Sequence, residues 1–257
     1  MTSWCKLTLG TFLSLFLFFN FRPAALKAQT SDASLFFKPS SLELEASQSA
    51  SVQLELDTAN TPVTAVDVVA DFKQSHLLIT GITPDKTAFG TFVPLNSSET
   101  EFDWQKAVKP TASLIEFGAL AFNWQSKTPT ATFSGKAKLA TFNVQAKPVR
   151  RDKTMGSINL LMTAGKTTDS NLLNNEGNDI LKTVIPLTVK VRAEPVCRAA
   201  LGTDATVALD DLMLIINKGW GANCSGCPED LDESGKIDMA DLMMVVNYWG
   251  RTCTATE

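Results

Sequence analysis

The sequence holds one histidine (His76) and one tyrosine (Tyr248) in 257 residues. A single imidazole excludes poly-histidine metal sites and leaves little for histidine-based acid–base catalysis. Charged residues make up only 19% of the chain, and their balance is acidic, 23 Lys+Arg against 27 Asp+Glu. That argues against the basic face on which nucleic-acid affinity rests. After residue 28 no apolar run reaches the ~18–20 residues needed to cross a bilayer as a helix. Residues 33–192 carry no sustained 3.6-residue period, and no paired-carboxylate segment suits glycoside hydrolysis. What remains is an ordinary globular composition, 44% hydrophobic, long enough for one large domain or two modest ones.

Lys6 precedes an apolar run from Leu7 to Phe21, and small residues follow at Ala24, Ala25 and Ala28. A basic start, a short apolar stretch and a small-residue exit read as an export signal. Residues 1–28 are therefore expected to be a signal peptide and the remainder to be secreted or held at the cell surface. An uncleaved membrane anchor is the alternative. Cleavage removes Lys6, Arg22 and Lys27 and no acid, taking the net charge from −4 to −7. It also removes Cys5 and leaves Cys197, Cys224, Cys227 and Cys253. An even, clustered set in an exported chain predicts disulfides, with three pairings open; a zinc site is disfavoured by export.

Residues 33–192 read as all-β. Alternating or β-rich runs recur at residues 51–56, 64–72, 113–122, 138–146, 157–161 and 185–191. Turn-rich stretches such as 83–86 and 174–178 separate them, which predicts a sandwich or barrel. In the run ending at Phe72, the period of two turns Val66, Val68, Ala70 and Phe72 inward and Asp67, Val69 and Asp71 outward.

Residues 197–253, after a four-residue linker at 193–196, differ in character. Asp211-Leu-Met-Leu-Ile-Ile-Asn217 is repeated thirty residues later as Asp241-Leu-Met-Met-Val-Val-Asn247. An internal duplication of this kind predicts two equivalent amphipathic helices. Residues 197–257 hold ten Asp/Glu and four Lys/Arg.

Ahead of the second helix stands Asp230-Leu-Asp-Glu-Ser-Gly-Lys-Ile-Asp-Met-Ala-Asp241. Side-chain oxygens fall at loop positions 1, 3, 5, 9 and 12, with glycine at 6. This is the spacing of an EF-hand-type calcium loop. Calcium takes six to eight oxygens, and alternate residues of a tightly turning loop point to its centre. The expected ligands are Asp230, Asp232, Ser234, the Lys236 carbonyl, Asp238 and Asp241, and the cofactor is Ca²⁺. A polar N-capped turn is the plainer alternative. Ahead of the first helix, ungapped alignment leaves only Asp204 and Asp211 as plausible ligands, so one calcium site is expected.

This duplicated loop–helix unit, from Cys197 to Cys253, resembles the dockerin family. The run Cys227-Pro-Glu-Asp-Leu-Asp through Asn247-Tyr-Trp-Gly250 carries the likeness. The resemblance implies calcium-dependent binding of cohesin domains through the two helices. It places partner contacts at loop positions 10 and 11, here Leu209 and Asp210, and Met239 and Ala240. These are not the hydroxyl pairs of many cellulosomal dockerins. The pseudo-twofold arrangement it implies brings the chain ends together and favours the pairings Cys197–Cys253 and Cys224–Cys227.

Residues 33–192 in turn resemble a cohesin domain, on Pro39-Ser-Ser-Leu-Glu-Leu44, Gly118-Ala-Leu-Ala-Phe122 and Gly135-Lys-Ala-Lys-Leu-Ala-Thr-Phe-Asn-Val144. The resemblance implies a nine-stranded jelly-roll sandwich that recognises dockerins with one sheet face, for which Asp67, Val69 and Asp71 are the candidates. The chain is thus expected to be mainly β with a small helical module. Its expected role is a non-catalytic extracellular adaptor, whose partners are dockerin- or cohesin-bearing secreted proteins. The alternative is a carbohydrate-binding module on a dockerin tag, with Trp104 and Trp124 as a sugar-stacking platform. Trp220 and Trp249 are expected to cover the helix ends.

Overall fold

The computed structural model describes residues 32–95, 101–123, 128–129, 132–150, 153–163, 165–224 and 226–255. The expected signal peptide, residues 1–28, and Trp124 lie outside the described residues. In chain order the strands are β1 (Ala33–Lys38), β2 (Ser41–Glu45), β3 (Ser49–Asp57), β4 (Val63–Phe72), β5 (Leu77–Pro84), β6 (Thr91–Pro94), β7 (Val108–Lys109) and β8 (Leu114–Leu120). They continue with β9 (Phe122–Asn123), β10 (Thr128–Pro129), β11 (Lys136–Ala146), β12 (Lys153–Leu160), β13 (Asn171–Asn174), β14 (Leu181–Ile185) and β15 (Leu187–Arg192). The helices are α1 (Trp104–Ala107), α2 (Pro195–Ala199), α3 (Leu209–Gly219) and α4 (Met239–Asn247). The chain is mainly β.

The strands form a five-stranded sheet, β14-β1-β3-β11-β5, and a larger sheet, β2-β15-β12-β4-β8-β6, to which β13 and β7 add short pairings. Two prolines set where the chain changes sheet. β1 lies in the first sheet and β2 in the second, with Pro39 between them; β14 and β15 divide the same way across Pro186. A proline donates no hydrogen bond to a ladder, so a strand breaks there. The run at 185–191 is for this reason two strands rather than one. The two crossings run side by side, because β1 pairs with β14 and β2 with β15, both in parallel.

Between the sheets the alternation holds except at the irregularity in β11 between Lys138 and Ala140 and at Val69 of β4. Leu35 and Phe37, Val52, Leu54 and Leu56, and Leu139, Phe142 and Val144 are buried from one side. Val66, Val68 and Ala70, and Ile115, Phe117 and Ala119, are buried from the other. Phenylalanine rings fill the core: Phe37 meets Phe142 of the same sheet edge-on at 5.3 Å between centroids, and Phe142 reaches across to Phe117 of the other sheet at 6.2 Å. Each such contact adds about 0.5–1.5 kcal/mol beyond simple area burial.

Residues 193–196 are not a free tether. Ala193 is fully buried, Glu194 is the N-cap of α2, and Pro195 begins that helix. Proline suits a first helical position, where its missing N–H would have no intrahelical partner. Only two residues separate the end of β15 from α2.

Candidate metal centre and interaction surface

The duplication seen in the sequence is repeated in backbone and burial. Asp211 and Asp241, at position 12 of the two loops, are both fully buried. One carboxylate oxygen of each accepts the N–H three residues back, from Ala208 at 2.7 Å and from Asp238 at 2.8 Å. The other oxygen reaches back across the loop, to Gly202 N at 2.7 Å in the first and Leu231 N at 2.6 Å in the second. Val207 and Ile237, both at position 8, are buried and exchange backbone bonds with the segment that follows the opposite helix. Val207 bonds to Gly250 and Arg251; Ile237 bonds to Gly221 and Ala222. Two half-units, each too small to bury its own core, are thereby locked into one. Cys197 and Cys253 stand at disulfide distance across this closure, with Cα atoms 4.6 Å apart, and Cys224 and Cys227 stand beside one another with Cα atoms 6.0 Å apart.

In the second loop, oxygens of Asp230, Asp232 and Asp241 all lie within 4.8 Å of one another. Calcium holds its ligands at 2.3–2.6 Å, so ligands on opposite sides of one ion are about 5 Å apart. The span and the all-oxygen donor set fit calcium. Asp230 accepts Ser234 N at 3.0 Å and Gly235 N at 2.9 Å, which curls the loop around it. Gly235 takes φ +86°, a conformation glycine adopts without steric cost. Ser234 Oγ donates to the Lys236 carbonyl at 3.2 Å, so these two expected ligands also meet. Asp238 is differently engaged: its Oδ1 caps α4 by accepting Ala240 N at 2.9 Å. Burial pushes the Asp230 carboxyl above the ordinary carboxylate value, and the charge of Asp241 adds to the shift against the two backbone N–H bonds. Crowded carboxylates of this kind are what a divalent cation relieves.

The first loop is built differently. Asp204, Asp210 and Asp211 have oxygens within 4.8 Å of one another. Asp210, singled out as a partner contact, turns its carboxylate onto its own loop: a Cβ at Gly202 would lie 2.6 Å from Asp210 Oδ2. An aspartate at 202, as at the equivalent Asp232, would require Asp210 to move. Arg150 of the sandwich reaches into this loop and donates to the carbonyls of Gly202, at 3.4 Å, and Asp204.

The helices present more apolar surface than one buried face requires. Leu209 and Met239 are 60% and 58% exposed. Met213 and Ile216 continue from Leu209, and Met243 and Val246 from Met239, at steps of four and three residues. Trp220 and Trp249 end the two stripes at 46% and 49% exposure, so they extend the open surface rather than sealing the helix ends. Ala240 is also exposed. The sequence signal for this was present: Leu212–Ile216 and Leu242–Val246 are five consecutive apolar residues, which at 100° per residue cannot share one face.

On the sandwich, the proposed outward row of β4 is corrected at Val69, which is only 4% exposed. β4 is flanked along its length by β8, and on its other edge by β12 and then β13. At the handover Ser170 Oγ accepts Val69 N at 3.0 Å and donates to Val69 O at 2.9 Å, closing the seam over this residue. Asp71 accepts Asn159 Nδ2 at 2.6 Å, and Asp67 is half-buried. Burial, with the nearby charge of Asp179, raises the Asp67 carboxyl above its ordinary value. Trp104 packs partly buried against the core, the opposite of an exposed stacking platform.

No family model matches the sequence, and no curated protein matches it. Among solved structures the chain is similar to a chain of a type I cohesin–dockerin complex from Clostridium thermocellum, at 10% identity and TM-score 0.48, covering 63% of this chain and 95% of that one. It is also similar to a chain of an R. flavefaciens cohesin in complex with a group 1 dockerin, at 17% identity and TM-score 0.43, covering 65% and 99%. A third is the cohesin module of a family 33 glycoside hydrolase from Clostridium perfringens, at 12% identity and TM-score 0.43, covering 64% and 100%.

Proposed function

We propose that this chain is a secreted, non-catalytic interaction protein of two modules. A cohesin-like sandwich spans residues 33–192, and a dockerin-like helical module spans 197–253. The helical module is organised by one calcium ion, held by Asp230, Asp232, Ser234, the Lys236 carbonyl and Asp241, with Asp238 capping the helix beside it. Its partner is a secreted protein, cohesin- or dockerin-bearing.

The observation that carries this reading is the pair of exposed apolar stripes, Leu209-Met213-Ile216-Trp220 and Met239-Met243-Val246-Trp249. Exposed apolar side chains gathered on one element mark protein contacts rather than ordinary surface. Tryptophan and methionine are enriched at such contacts. The acidic loop supports the calcium part, and the sequence resemblances support the module types.

The test sets two partner classes side by side. The mature chain is run by affinity electrophoresis through a panel of polysaccharides, and separately over immobilised cohesin and dockerin modules with calcium or chelator. Free migration in every gel, with calcium-dependent retention on a protein module, supports the proposal. Retardation by polysaccharide without protein capture replaces it with a glycan-binding role.

A further inference from the structure

Glu233 stands at position 4 of the calcium loop, between the expected ligands Asp232 and Ser234. Ligands at positions 3 and 5 turn inward, so the side chain between them turns out. Its backbone takes φ +59°, a left-handed conformation that a non-glycine residue adopts at a cost. The outward carboxylate does not end in solvent. It meets Lys190 Nζ at 3.2 Å and Arg192 Nη2 at 2.8 Å, both on the sandwich.

The two cations are set in place beforehand. Lys190 and Arg192 are alternate residues of β15 and so share a face. Glu43, paired with Lys190 across the β2–β15 register, braces both: it lies 3.7 Å from Lys190 Nζ and also pairs with Arg192 Nε. The strand then runs through two residues into α2, which leaves little slack between this grip and the helical module. At the first loop Arg150 makes the matching reach from the sandwich.

We propose that Lys190 and Arg192 are positioning residues of the calcium loop, holding its ligand-bearing turn closed through Glu233; this rests on the calcium reading above. Singly, part-exposed ion pairs contribute little. Here four charges form one network, and the acidic partner is part of the turn that must close around the ion. Closure by calcium and closure by the clamp favour the same loop conformation, so each strengthens the other by the same factor.

The sign of the effect separates this from simple electrostatics. Two cations near a calcium site oppose the ion through space, so removing them by that effect alone tightens binding. Acting through the clamp, their removal weakens it.

The experiment is calcium titration by calorimetry on the mature chain, residues 29–257, comparing the wild type with the double variant K190Q/R192Q. The expected result is a Kd raised about fivefold at unchanged stoichiometry. An unchanged or lowered Kd overturns the inference. The same pair of substitutions on an E233A background, where no side-chain acceptor remains for the clamp, is expected to leave Kd unchanged or lower it. A rise there equal to that in the wild type shows a structural effect on the fold and also overturns it. Should K190Q/R192Q not fold, R192K, which keeps the charge and loses the guanidinium geometry, replaces it: a raised Kd supports the clamp and an unchanged one overturns it. A wild-type chain that takes up no calcium overturns the calcium reading and this inference together; calcium uptake with an insensitive Kd overturns the inference alone.

Discussion

Asp211 and Asp241 stand thirty residues apart and occupy the same place in two copies of one motif: each is fully buried, and each accepts the N–H three residues before it, at 2.7 and 2.8 Å. Around this shared frame the loops diverge. The second gathers Asp230 and Asp232 around Asp241; the first has Ala200 and Gly202 at those positions and draws in Asp210 and the sandwich residue Arg150.

That divergence sets the expected metal response. Calcium is expected to bind at one site and to raise the melting temperature of residues 29–257. With free calcium at ten times Kd, the added stability is about 1.4 kcal/mol. Asp232→Ala removes the shift, while Asp204→Ala preserves it. Differential scanning calorimetry with calcium and with chelator reads both; a shift lost with Asp204→Ala contradicts the assignment of the site.

The stripes are expected to behave as contact surface and not as core. Replacing Met213 and Met243 by Lys leaves the melting temperature close to wild type, since the two residues are 41% and 44% exposed and a lysine there can carry its charge to water. Partner affinity falls about thirtyfold or more, the loss of one interface hot spot. Unfolding of the variant would show instead that these residues support the module internally.

The tie between Cys197 and Cys253 closes a segment with a sequence separation of 56. On the chain-entropy model its removal, by Cys197→Ala with Cys253→Ala, costs about 4 kcal/mol. The Cys224–Cys227 tie spans a separation of only 3, and its removal costs about half as much. Urea unfolding of the two variants measures the difference; equal losses contradict the ordering.

Asp67 gives a pH-dependent expectation. Its carboxyl is raised in the folded chain by burial first and by Asp179 second. A carboxyl that is easier to protonate when folded favours the fold at low pH and opposes it once ionised. Asp67→Asn therefore raises the melting temperature at pH 7. The gain shrinks as the pH falls towards and below 3.8, the ordinary carboxylate value. A gain that is the same at pH 3.5 and pH 7 would mean the effect is not ionisation.

Much of the sandwich was legible because its long strands alternate: residues 51–56, 64–72 and 138–146 lie in β3, β4 and β11. The break at Pro186 could be read from proline's missing N–H. Short strands such as β6 and β13, four residues each, are too brief for a period to register. Val69 was misread because alternation says which face a residue takes, not whether other segments cover that face. The spacing of Asp230, Asp232 and Asp241 was visible in the sequence, and the structure gathers their oxygens within 4.8 Å of one another. The Glu233–Arg192 contact was not, since it depends on how a strand 41 residues away is brought alongside.

The most direct test of the central claim is capture from the source organism's own secreted proteins. The mature chain and the Met213→Lys/Met243→Lys variant are immobilised, each with calcium and with chelator, and retained proteins are identified by mass. The account predicts proteins bearing cohesin or dockerin modules, held by the wild type in calcium and released by chelator or by the double substitution. Retention of the same proteins in all four conditions, or of none in any, contradicts it.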